Sequence, residues 1–272
     1  MKNSSPAYLP DRDKLSVVTA TLVAALLGGY FVRLPDWEVV LRLPGFLLPL
    51  HFSATRAFAV LIAALTAAGT DWVLGDHPAL GNRPTWPHWL LPALTAWVLE
   101  VLLQRLPLGA LWWVTLALGL IIWFLVLVAE YIVVDAEDLR YPLAAAGLTG
   151  LGFLLFFLLA VAVRAAGWRL FFTAPTLGVA SGIVALRTFN LQRHGEWRPI
   201  EAVFVAAITA QLAAALHYLP IPPLAYGLIL VAAAYAATVY LANLMEEQSI
   251  AQALWEPVVT LAVLLLLLPW AW

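Results

Sequence analysis

GALWWVTLALGLIIWFLVLVAEYIV, residues 109–133, decides what kind of molecule this is. From Gly109 to Ala129 no side chain is charged, and Glu130 is the one charge in the whole stretch. A helix needs about 20 predominantly apolar residues to cross the hydrocarbon layer of a bilayer, and this run exceeds that. A barrel strand would instead alternate apolar and polar residues over about ten positions. Helices are then the spanning solution that satisfies every backbone group internally.

Eight further runs of the same kind flank it. Spans are expected at 15–32, 54–74, 88–106, 109–133, 141–163, 171–189, 199–218, 223–244 and 250–270. The fold class is all-α: a polytopic transmembrane helical bundle of about nine spans, with residues 1–272 forming a single integral membrane domain. Two stretches are ambiguous. Residues 36–50, with Pro44 and Gly45, look interfacial or re-entrant rather than a full crossing, and the run from 168 to 190 contains Pro175, which would kink or break it. The first run is long for a signal peptide and lacks a small-x-small cleavage site, so an uncleaved helix is expected.

Composition agrees. Of 272 residues, 64% are hydrophobic and 11% charged, against about 25% charged in a soluble domain. Mean hydropathy is +0.92. Cysteine is absent, which removes disulfides, thiolate nucleophiles and zinc–thiolate or iron–sulfur sites. Lysine occurs only at Lys2 and Lys14. Net charge is −2 and no basic tract exists, which excludes nucleic acid as a main partner. The expected partner is the lipid bilayer, with a second copy or other subunits of a membrane complex as further candidates.

Three echoes recur in order along the chain. Phe52-Ser53-Ala54 answers Phe172-Thr173-Ala174, Leu106-Pro107-Leu108 answers Leu219-Pro220-Ile221, and Tyr131 with Glu137-Asp138 answers Tyr240 with Glu246-Glu247. They divide the chain into halves, 52–163 and 171–272, in a one-plus-four-plus-four plan with parallel repeats. Chance matching in a Leu/Ala-rich chain competes with this plan and is slightly favoured.

Under nine spans, Lys and Arg divide eight to six in favour of the N-terminal side, which the positive-inside rule makes cytoplasmic in a multi-pass cell-membrane protein. Thirteen of the sixteen carboxylates fall on that same side, as do His77, His88 and His194. A polar working surface, if there is one, belongs there; acidic solvation of hairpin loops is the plainer alternative. Tryptophans such as Trp72, Trp86, Trp89, Trp168, Trp197, Trp270 and Trp272 stand near span ends and read as an aromatic belt. Gly178 and Gly182 mark a close helix–helix approach.

Ionisable groups inside spans are costly, so each raises a functional question. Glu100 lies in the third span with Gln104 one turn later on the same face: a proton or cation site, or a neutral acid bonded to a neighbouring helix. Arg187 sits a turn inside the sixth span, with Asn190 one turn on, and needs a carboxylate: Glu130, Glu201 or Glu256. Such a pair fixes helix register or, lining a cavity, clamps an anionic headgroup or carboxylate. Asp135 and Asp138 share a face if the helix continues, and would then hold Mg²⁺ or a similar hard cation; capping of the fifth helix is the competing and favoured role. No other cofactor is expected.

No membrane-enzyme signature is met. Glu246-Glu247 is followed four residues later by Ala251, where a CAAX-protease-like site needs Arg, and Val179-Ala180-Ser181-Gly182 lacks the first glycine of a rhomboid site. Three readings follow. The first is a small translocator for an ion, lipid or small solute. The second is a lipid-headgroup enzyme with a carboxylate-bound cation, requiring Glu130, Asp135 and Asp138 to converge with Glu246 or Glu256. The third is a non-catalytic subunit or assembly factor, requiring a fully packed interior.

Overall fold

Each long apolar run becomes a helix. The computed structural model describes residues 10–32, 37–43, 46–52, 54–81, 83–193, 195–245 and 250–266. In chain order these form α1 (Arg12–Phe31), strands β1 (Trp37–Leu43) and β2 (Phe46–Phe52), α2 (Ala54–Leu74), a 3-10 turn (Trp86–Trp89), α3 (Leu90–Leu103), α4 (Ala110–Ile132) and α5 (Tyr141–Ala165). The chain continues through α6 (Leu170–Gln192), α7 (Pro199–Leu216), α8 (Pro223–Met245) and α9 (Ile250–Leu266). Prolines open α7 and α8, where a missing N–H is not needed. Asp11 caps α1, its carboxylate accepting from the Asp13 backbone N–H at 2.8 Å.

Seven of these helices are long and apolar enough to cross a membrane: α1, α2 and α4 through α8. At 14 residues, α3 extends about 21 Å, and the preceding 3-10 turn adds about 8 Å.

Two expectations change. Pro175 neither breaks nor ends α6, which runs unbroken from Leu170 to Gln192. It is the sixth residue of the helix, so its missing N–H deprives only the Phe171 carbonyl, near the helix start. The all-α description holds for the bundle but misses a hairpin: β1 pairs antiparallel with β2, Trp37 opposite Phe52 and Leu43 opposite Phe46. Its two open edges carry backbone groups that hydrocarbon could not satisfy, which agrees with a segment that does not cross.

Polar links between helix ends fix an alternating arrangement. Lys14 at the start of α1 pairs with Asp76 beyond the end of α2. The Tyr30 hydroxyl at the end of α1 donates to the Leu106 carbonyl beyond α3 at 3.4 Å. Tyr141 at the start of α5 donates to the Leu191 carbonyl at the end of α6 at 2.8 Å. Arg164 at the end of α5 donates to the carbonyls of His217, Leu219 and Ile221 beyond α7. Glu130 near the end of α4 joins the two groups, bonding Arg187 near the end of α6 and His88 just before α3, so one end of the bundle gathers the starts of α1, α3, α5 and α7 with the ends of α2, α4 and α6.

The interior divides along α3. Ala96, Leu99 and Leu103 pack with Leu22, Leu26, Ile62, Trp112 and Trp123 of α1, α2 and α4. Leu94, Val98 and Val101 pack with residues of α5 through α8, among them Phe156, Val184, Val205 and Leu230. No residue of α3 is exposed. Against α6, α7 comes close enough that a Cβ on Gly178 would stand 3.0 Å from that of Ala210, and one on Gly182 3.1 Å from that of Ala206. The glycines at 178 and 182 are thus contact points, as their spacing implies.

Candidate functional site

Two cavities of about 440 Å³ each lie at opposite ends of the α3–α6 pair. The first is at the end that holds the start of α1. Arg187, one turn from the end of α6, is 1% exposed, and Glu130, two residues from the end of α4, is fully buried. They form a two-point pair: the Arg187 Nε donates to Glu130 Oε1 at 3.0 Å and its Nη2 to Oε2. The remaining nitrogen, Nη1, donates to Asn190 Oδ1 one turn along α6. His88, from the 3-10 turn, brings Nδ1 within 2.9 Å of Glu130 Oε2 and 3.1 Å of Arg187 Nη2, its donor or acceptor role following the tautomer.

This geometry uses the guanidinium fork in full, which is what burying the charge requires. The cavity above it is walled by Arg187, His88, Asn190, Tyr141, Arg83 and Trp197. Trp197 stacks on Trp86 with ring centres 3.7 Å apart.

The second cavity is at the other end. Glu100 is fully buried. Its Oε1 accepts from Gln104 Nε2 at 2.8 Å, and the same nitrogen donates to the Gly29 carbonyl of α1 at 2.9 Å. Oε2 has no hydrogen-bond partner. Gly29 permits this approach, since a Cβ there would lie 2.7 Å from Glu100 Oε1. Trp97, Trp168, Phe172, Thr176 and Arg105 line the space beside the carboxylate. Along α3 and α6 between the two cavities, Leu94, Val98, Leu177 and Val184 are buried in one hydrophobic cluster. From His88 to Glu100 the chain advances twelve residues, about 18 Å along a helix.

Of the residues singled out in the sequence, the structure joins Arg187, Asn190 and Glu130 in one site and Glu100 and Gln104 in another. Glu201 instead lies 3.7 Å from Arg198. Glu256, on α9, is exposed and accepts from the Tyr235 hydroxyl at 3.4 Å. Because α4 ends at Ile132, Asp135 and Asp138 stand in a run of turns and share no helix face. Asp135 accepts from the Glu137 N–H at 3.0 Å, and Asp138 binds Arg140 through Nη2 at 2.7 Å and Nε at 3.1 Å. The Arg140 hydrogen bonds hold the Asp138 carboxyl below the usual carboxylate range. Neither Asp joins Glu130, and among the described residues no three His, Asp or Glu side chains gather as metal ligands. Glu246, Glu247 and His194 lie outside the described residues.

His88, Tyr141, Trp97 and Thr176 are site residues that the sequence reading did not nominate, and Trp168 was assigned to the aromatic belt. Tyr141, Thr176 and Trp168 reach their sites from segments other than those of the nominated residues beside them, and Trp97, three residues before Glu100 on α3, carries no charge to single it out.

Residues 34–271 match the model of the family described as "Protein of unknown function (DUF5656)". No curated protein and no solved structure matches the chain.

Proposed function

The chain belongs to this DUF5656 family, and from its geometry we propose that it is a small membrane translocator, with α3 and α6 forming the walls of its path. The observation that carries this reading is the pair of cavities at opposite ends of one helix pair, one lined by the buried Arg187 that pairs with Glu130 behind it and the other by the fully buried Glu100. A translocator needs entry from both faces and a barrier between them. The apolar plug of Leu94, Val98, Leu177 and Val184 supplies that barrier here.

In this reading nine helices cross. The 3-10 turn and α3 together cover about 29 Å, close to the hydrocarbon thickness of about 30 Å. The start of α1 faces the cytoplasm, on the count of Lys and Arg. The Arg187–Glu130 pair closes the inner end, its guanidinium fork held on the carboxylate. The cavities speak against a subunit with a fully packed interior, and the dispersal of Glu130, Asp135 and Asp138 against a cation-dependent headgroup enzyme.

Absence of cysteine gives a test that needs no substrate. Val134→Cys in the first cavity and Thr176→Cys in the second are near-isosteric changes at cavity-lining positions. A membrane-impermeant maleimide added to oriented vesicles should label Val134→Cys from one face and Thr176→Cys from the other. Labelling of both from the same face, or of neither, removes the translocator reading.

A further inference from the structure

The Glu100 cavity combines features that point to a class of ligand. Glu100 is fully buried, and its Oε2 is an acceptor without a donor. A carboxylate oxygen left so in an apolar interior is costly until a proton or a cation balances it. The lining includes three aromatic side chains, Trp97, Trp168 and Phe172, beside the aliphatic Ala59, Val60 and Val101.

A divalent inorganic cation fits this lining poorly. Calcium takes six to eight oxygen ligands and magnesium an octahedron. Here the polar lining is Glu100, Gln104, Thr176 and the cation Arg105. The Gln104 amide nitrogen is already committed to Glu100 and Gly29. An organic ammonium asks for less: one counter-charge, indole faces, which attract cations more strongly than other aromatic rings, and apolar room for its substituents. The volume of about 440 Å³ is in the range of small-molecule sites. Arg105 is exposed, so its charge is solvated away from the buried carboxylate.

We propose that this cavity binds a small organic ammonium ion, with Glu100 as its counter-charge and Trp97 and Trp168 as its aromatic wall. As the substrate class of a translocator this rests on the reading above; as a binding site it rests on the cavity alone. The ammonium supplies the positive partner that Oε2 lacks, while Gln104 holds Oε1 in place.

The test is calorimetric titration of the detergent-solubilised full chain with benzyltrimethylammonium, using N,N-dimethylbenzamide as neutral control and benzoate as anionic control. Saturable binding of the ammonium alone is expected, weakened at least tenfold by Glu100→Gln and several-fold by Trp97→Leu. Glu100→Asp, which keeps the charge, should bind more tightly than Glu100→Gln, and serves with Trp97→Leu if Glu100→Gln does not fold. No saturable binding, equal binding of the neutral control, or undiminished binding by Glu100→Gln overturns the proposal. Uptake of the labelled ammonium into proteoliposomes separates the two ideas. Binding without uptake removes translocation and leaves the site; uptake unaffected by Glu100→Gln removes the site and leaves translocation.

Discussion

Replacing Glu130 by glutamine tests the energetic centre of the bundle. The change preserves shape but leaves the Arg187 guanidinium, 1% exposed, without the carboxylate that takes both its Nε and Nη2. Breaking a buried pair from one side costs about 3–5 kcal/mol, because the surviving charge stays buried and uncompensated. At roughly 2–4 °C per kcal/mol for a chain of this size, the melting temperature should fall by roughly 6–20 °C. Tryptophan fluorescence during a thermal ramp in detergent reads this directly, with thirteen indoles as reporters. Glu130→Gln with Arg187→Met removes both charges, and the double variant should recover at least half of the loss, a coupling that only interacting side chains produce. If Glu130→Gln lowers the transition by less than about 2 °C, or if the two losses simply add, the pair is not the buried contact described.

Three further outcomes follow from local geometry. Gly29→Ala puts a Cβ 2.7 Å from Glu100 Oε1; overpacking of this kind costs about 1–3 kcal/mol, and a melting temperature equal to that of the unaltered chain would contradict the contact. Gly178→Val forces α6 from α7 at a point where even a Cβ would lie 3.0 Å from that of Ala210; thermal stability should drop by a similar amount, whereas Gly150→Val, facing open space, should leave it unchanged. Burial holds the His77 imidazole below its ordinary value, against the pull of Asp135 and Asp138 and with a smaller push from His88. Between that lowered value and the unfolded value of about 6.5 the unfolded chain binds more protons, so the stability from a neutral His77 is complete above about pH 6.5 and is lost on acidification. Melting from pH 7.5 down to 5 should show this slope in the unaltered chain and a shallower one in His77→Gln; an equal slope in both would refute it.

The helices were legible because membrane crossing imposes one coarse demand, a long apolar run, that the chain writes without periodicity or caps. The hairpin at 37–52 was not, since a short apolar stretch around Pro44-Gly45 reads equally well as an interfacial segment. Among site residues, Glu100 with Gln104 and Arg187 with Asn190 were readable as near neighbours on one helix, where spacing fixes proximity. Of the three acids open to Arg187, Glu201 shares the same bundle end but faces Arg198, and what selects Glu130 is the rotation of α4 that turns it toward α6. His88 lies 42 residues from Glu130 and 99 from Arg187, and Trp97 on α3 and Trp168 just before α6 line one cavity. Such contacts depend on how helices are rotated about their axes, which an almost uniformly apolar sequence leaves unspecified.

A helix with no exposed residue, as α3 is, is largely shielded from hydrophobic mismatch. Where the host bilayer swells or thins, its neighbours must tilt or dimple the lipid to match it, whereas α3 has little lipid boundary to follow. The gap between His88 and Glu100 is then a ruler cut in protein alone, carried unchanged from one membrane composition to another.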